Sequence, residues 1–170
     1  MKIETMEDLF LEQVEDLYDA EKRLVKALPK MAEATESQPL RQAFQSHLVE
    51  TEGHVRRLEN VFRTLGKNPK GQTCDAMKGL ISEGEDMVGD TSPSALRDAG
   101  LIAAGNRVEH YEIAAYGSAR SFARILGLKE AETLLQQTLQ EEKAADQKLT
   151  NLGESSINEE ALRRSPVSQH

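Results

Sequence analysis

Glycine and proline fall almost entirely between long stretches in which apolar residues recur every three or four positions. That pattern specifies helices, because strands would need two-residue alternation broken by hairpin turns. The first helix is predicted from Met6 into the low thirties, with Pro29 kinking its end. Ser37 and Pro39 open a second over residues 39–65, and Gly66 stops it. The run Lys67-Asn68-Pro69-Lys70-Gly71 reads as a loop. A shorter helix follows over 74–88, carried by Met77, Leu80, Ile81 and Met87. Ser92 as cap and Pro93 at the first helical position begin a fourth, which lasts to Gly127. A fifth spans 129–152 before Gly153. The polar, aperiodic stretch 155–170 is expected to be a flexible tail beyond a domain of residues 1–154.

Each long helix extends about 35–50 Å at about 1.5 Å per residue, and such helices need packing partners to persist in water. The expected architecture is all-α. Two helical hairpins form a four-helix bundle, with the short helix lying in the crossover connection.

The inward seam of each helix, spaced alternately three and four residues, carries an anomaly. In the first helix it runs Phe10, Val14, Leu17, Glu21, Leu24, Leu28, so a glutamate interrupts an apolar row. The fourth helix has Glu109 and Glu112 at consecutive seam positions between Gly105 and Tyr116. The fifth has Glu142 between Thr138 and Ala145. On the second helix Phe44, His47, Thr51, His54 and Leu58 form the seam, with Glu50 one turn before His54. Asp146 lies one turn after Glu142, just off the row.

Burying one uncompensated carboxylate costs several kcal/mol even after relaxation. Five or six aimed at one interior would exceed the whole stability of a domain, about 5–15 kcal/mol. Most lysines and arginines of these helices fall on outer faces, so an internal salt-bridge lattice is poorly supplied. Two divalent cations would provide the missing charge. Hard oxygen ligands with an imidazole suit iron or manganese better than a structural zinc site. The candidate ligands are Glu21, Glu50, His54, Glu109, Glu112, Glu142 and Asp146. They fall into two approximately repeated halves, as in di-metal carboxylate bundles. The Glu-x-x-His motif of such bundles is not intact: this chain has Glu50-x-x-x-His54 and Glu142-x-x-x-Asp146.

Composition narrows the function classes. With 29 acidic against 21 basic residues, the net charge is −8, which argues against nucleic acid or anionic lipid as the main partner. No apolar run nears the roughly 20 residues that span a bilayer, and the polar N-terminus does not read as a secretory leader. The single cysteine, Cys74, suits a reducing compartment, so the expectation is a cytoplasmic protein.

Four segments carry a family resemblance: Leu17-Tyr18-Asp19-Ala20-Glu21-Lys22, His47-Leu48-Val49-Glu50-Thr51-Glu52-Gly53-His54, Val108-Glu109-His110-Tyr111-Glu112-Ile113-Ala114-Ala115-Tyr116-Gly117 and Glu141-Glu142-Lys143. In this order they resemble the YciE/YciF family of bacterial ferritin-like proteins, over most of residues 5–152. The resemblance implies a rubrerythrin-like bundle, a di-iron site, a homodimer and an association with bacterial stress responses. It implies no particular reaction. Rubrerythrins also carry a Cys-x-x-Cys module that this chain lacks, so electrons would have to come from elsewhere.

Other polar residues near the seams have blander readings. His47 is expected to hold a buried hydrogen bond rather than to ligate, and Asp146 to ligate or to accept a hydrogen bond behind a ligand. Glu52 and Glu141 point elsewhere in this register and read as solvated, and His110 as surface or dimer interface. Tyr18 and Tyr116 read as core tyrosines with satisfied hydroxyls. Cys74 has no partner motif for thiol chemistry.

The expected function is a di-iron protein that oxidises Fe²⁺ or reduces peroxide, with Glu50 and Glu142 bridging the metals and O₂ or H₂O₂ as substrate. A manganese catalase-like enzyme would use the same ligands. The alternative is a non-enzymatic, metal-binding stress protein acting as a dimeric helical scaffold.

Overall fold

The computed structural model describes residues 2–164. Its elements are α1 (Met6–Ala34), α2 (Gln38–Thr64), α3 (Asp75–Asp90), α4 (Ala95–Ile125), α5 (Lys129–Leu152), a π-helical turn (Gly153–Ile157) and α6 (Asn158–Arg164). Helices α1 with α2 and α4 with α5 form the two hairpins, which pack through α2 on α5 and α1 on α4. Helix α3 lies in the crossover, against α4 and α1. This is the ferritin-like arrangement. No described helix is long and apolar enough to cross a membrane.

Local chemistry fixes the ends. Thr5 and Asp8 form a reciprocal capping box at the start of α1, each side chain accepting the other's backbone N–H at 3.0 Å. Gly66 (φ 64°) and Gly127 (φ 72°) take the left-handed conformation that ends α2 and α4. Asp98, buried near the start of α4, accepts the N–H groups of Glu36 (2.9 Å) and Ser37 (2.7 Å), which pins the α1–α2 turn.

Two expectations change. Helix α4 starts at Ala95 with Ser94, not Ser92, as its cap. The Ser94 hydroxyl accepts the Arg97 N–H, while the Arg97 guanidinium donates to Thr91 and Val88 and holds the preceding residues out of the helix. The stretch read as aperiodic is also helical over residues 155–164. Ile157 and Ala161, one turn apart, are buried, and α6 lies against α4. Residues 165–170 lie outside the described residues.

The interior is layered. One apolar cluster contains Phe10, Leu17, Leu58, Phe62, Tyr116 and Leu135. The other contains Leu24, Leu28, Leu40, Phe44, Leu101 and Leu149. Along each long helix the switch from one cluster to the other falls at the acidic or histidine seam positions, so a polar layer lies between two dry ones.

Candidate metal centre

Six side chains from four helices make the polar layer: Glu21 on α1, His47 and His54 on α2, Glu109 and Glu112 on α4, and Glu142 on α5. All are buried. Their ligand atoms form two groups, one of His47, Glu109, Glu112 and Glu142, the other of Glu21, His54 and Glu142, with atoms in each lying within 4.8 Å of one another. Glu142 belongs to both. Its Oε1 lies 2.9 Å from His54 Nδ1 and its Oε2 3.7 Å from His47 Nε2, so one carboxylate spans the two halves. His54 Nδ1 is also 3.3 Å from Glu21 Oε1, and His47 Nε2 is 3.2 Å from Glu109 Oε1.

These approaches are within ion-pair distance but do not line up as hydrogen bonds. Eight buried polar atoms of the six side chains are left without a hydrogen-bond partner, including both oxygens of Glu112 and both of Glu142. Native interiors contain few such atoms, and each calls for an explanation. Burial, reinforced by neighbouring carboxylates, holds Glu112 well above the usual carboxylate range. Burial and Glu142 do the same to Glu109, against the pull of His47. Glu142 is raised by burial and by Glu21, with His54 opposing. Burial alone would depress His54, but Glu142 and Glu21 overcome it and lift the imidazole to about 11. His47 is raised too, because Glu109 and Glu50 outweigh burial. Without a metal, the layer must share protons among its acids and imidazoles.

The surroundings orient both imidazoles. His54 Nε2 faces Glu141 Oε2 at 2.9 Å, and Arg57 grips the same carboxylate through two N–H groups. His47 Nδ1 faces Glu50 Oε2 at 3.2 Å. Each ring is thus tied to a carboxylate outside the centre and turns its other nitrogen inward. This is how a ligating histidine is normally supported. The Tyr116 hydroxyl donates to Glu21 Oε1. Tyr18, by contrast, donates to Glu59.

Of the seven residues read as ligands from the sequence, Glu21, His54, Glu109, Glu112 and Glu142 converge here. Glu50 sits at the edge with its side chain 47% exposed and reaches the centre only through His47. Asp146 stands apart, accepting from Asn106 Nδ2 at 2.7 Å and lying 3.2 Å from the exposed His110. His47, expected only as a hydrogen-bonding residue, stands among the inward-facing donors. Its seven-residue spacing from His54 is the signal, since two turns place both rings on one face. Glu141, expected in solvent, is bound to Arg57 and His54.

The model of the DUF892 family, a domain of unknown function, matches residues 5–162. The chain belongs to that family. It is 44% identical over 162 residues to the protein YciF of Escherichia coli strain K12, covering 95% of this chain and 98% of the relative. The crystal structure of YciF, described as an E. coli stress protein, is similar with a TM-score of 0.88 over 92% of this chain and 99% of that one. YcfI of Rhodopseudomonas palustris, described as a candidate structural protein, is 43% identical with a TM-score of 0.86, covering 88% of this chain and 95% of that one. A Xanthomonas campestris protein at 19% identity shares the fold, with a TM-score of 0.75 over 94% of this chain and 98% of its own.

Proposed function

We propose that this chain is a di-metal carboxylate protein, with iron the preferred metal and manganese its competitor, that serves a bacterial stress response by consuming O₂ or H₂O₂. The observation that carries this reading is the set of eight orphaned polar atoms on six buried side chains. Four carboxylates and two imidazoles make a hard, oxygen-rich donor set, and two divalent ions would offset its negative charge. Glu21 and His54 would hold one ion, His47, Glu109 and Glu112 the other, and Glu142 both. Bound there, ferrous ions would supply the two electrons that peroxide needs to become water.

The chain's own residues prepare the site. In the metal-bound form Glu141, held by Arg57, would keep the remaining His54 proton on Nε2 and leave the Nδ1 lone pair inward. Glu50 would do the same for His47 from Nδ1. Tyr116 keeps a proton at Glu21 Oε1 and fixes the rotation of that carboxylate. The two apolar clusters keep bulk water from the layer. The stress assignment draws on the description of the E. coli relative. The homodimer rests on the family resemblance, and the cytoplasm on the single, buried cysteine.

Anaerobic titration of the metal-free protein with Fe²⁺, followed by elemental analysis, should reach two equivalents per chain. Aerobic Fe²⁺ oxidation or peroxide loss should disappear in folded Glu109→Ala and Glu142→Ala variants. Two bound equivalents with unchanged rates would favour the scaffold reading suggested by the description of YcfI. Binding of no metal would remove the proposal.

A further inference from the structure

Of the six central residues, two keep any exposure. Glu21, His54, Glu112 and Glu142 have 0% exposure, whereas Glu109 retains 2% and His47 retains 6%. Those two residues form the floor of a cavity of about 130 Å³ between α2 and α5. Its walls include Ala43, Ala144 and Ala145, and alanines leave open an interface that longer aliphatic side chains would close. Glu50, Ala144 and Lys148 are exposed at the rim. A larger apolar cleft of about 180 Å³ between α1, α3 and α4 touches none of the six central residues.

We propose that this shaft between α2 and α5 is the port by which divalent cations reach the centre. The inference rests on the centre binding metal, as argued above. Size and charge both select the solute. At roughly 30 Å³ per water molecule, the volume holds about four waters, well short of the ~300–1,000 Å³ typical of sites for drug-sized organic ligands. A partly dehydrated ion fits, and so does a peroxide molecule. Glu50 at the rim and Glu141 on the wall offer carboxylate oxygens along the path, and Glu109 and His47 at its end are the first donors of the centre. Among the described residues, Lys148 is the one lysine or arginine along the wall, and it opposes entry from the rim. Neither Ala145 nor Lys148 supplies a donor to the centre.

A gate changes entry and exit together and leaves affinity alone. Full-length, metal-free protein is mixed with Co²⁺ in a stopped-flow spectrometer, and release is followed with excess chelator. Ala145→Leu should slow association and release by a similar factor, about tenfold or more, with stoichiometry and Kd unchanged. Lys148→Glu, an exposed change that leaves the fold intact, should speed association about two- to fivefold at low salt, within the range of electrostatic steering. That gain should vanish near 1 M salt, where the Debye length is about 3 Å. If both variants load at the wild-type rate with two equivalents bound, the port is overturned while the metal centre stands. If wild type binds no Co²⁺, Mn²⁺ or Fe²⁺, both proposals fail.

Discussion

Glu112→Gln should stabilise the metal-free protein and weaken the metal-bound one. Glu112 has no solvent exposure, and neither of its oxygens has a hydrogen-bond partner. Burial and the adjacent Glu142, Glu21 and Glu109 raise it well above the ordinary carboxylate value of 4.5. The folded protein therefore keeps a proton that the unfolded chain releases near 4.5. Stability from this group is present below that pH and is lost as pH climbs toward the folded value. Glu109 and Glu142 are raised in the same direction, so metal-free wild type should be less stable at pH 8 than at pH 5.5. A tenfold difference in proton affinity between the folded and unfolded chain is worth about 1.4 kcal/mol. A glutamine of the same shape does not titrate, and its amide can donate to a neighbouring carboxylate. The expected gain at pH 8 is about 1–3 kcal/mol, the cost of leaving a buried polar group unsatisfied. At about 2–4 °C per kcal/mol for a chain of this size, Tm should rise by about 2–12 °C. The difference should shrink at pH 5.5. Addition of Mn²⁺ reverses the ranking: ligand at about 1,000 times Kd stabilises wild type by about 4.1 kcal/mol, and the variant should gain far less. Thermal melts by circular dichroism, in chelator and in metal at both pH values, test every step. A variant less stable than wild type in chelator at pH 8 would refute the reasoning, because Glu112 would then be favourably paired inside the bundle.

Tyr116→Phe removes the hydrogen bond to Glu21 and should weaken metal binding about 10–100-fold, as loss of a supporting partner usually does, with little change in fold; isothermal titration measures this. Asp98→Ala frees two backbone N–H groups at the α1–α2 turn and should cost about 2–4 kcal/mol in urea unfolding, with Asp98→Asn costing less. Gly105→Ala would place a Cβ 2.8 Å from Leu149 Cδ1 and should cost about 1–3 kcal/mol through overpacking between α4 and α5, read as a lower urea midpoint.

The hairpins and their glycine stops were legible in the sequence because long 3.6-residue periodicity and left-handed glycines are local signals. Glu21, Glu109, Glu112 and Glu142 were legible because each breaks an apolar row that its own helix defines. His47 was legible as a seam residue two turns from His54, but its place among the donors was not, since that depends on Glu109 on α4; the role of Glu141 likewise depends on His54 and Arg57 on α2. Glu50 and Asp146 were read as ligands from positions beside the seams, each one turn from a seam residue. Helix rotation decides between them, and a shift of one residue turns a side chain by about 100°. Helix α6 was hidden for a different reason, as two apolar residues, Ile157 and Ala161, suffice to anchor a short polar helix on α4.

Helix α3 buries only Met77 and Gly84 of its own sixteen residues, and an apolar cleft separates part of it from α1 and α4. Its detachment would move no residue of the carboxylate layer. Amide exchange should therefore begin in the crossover, at a free energy well below that of global unfolding. The four long helices can stay shut around the acids while their strap breathes.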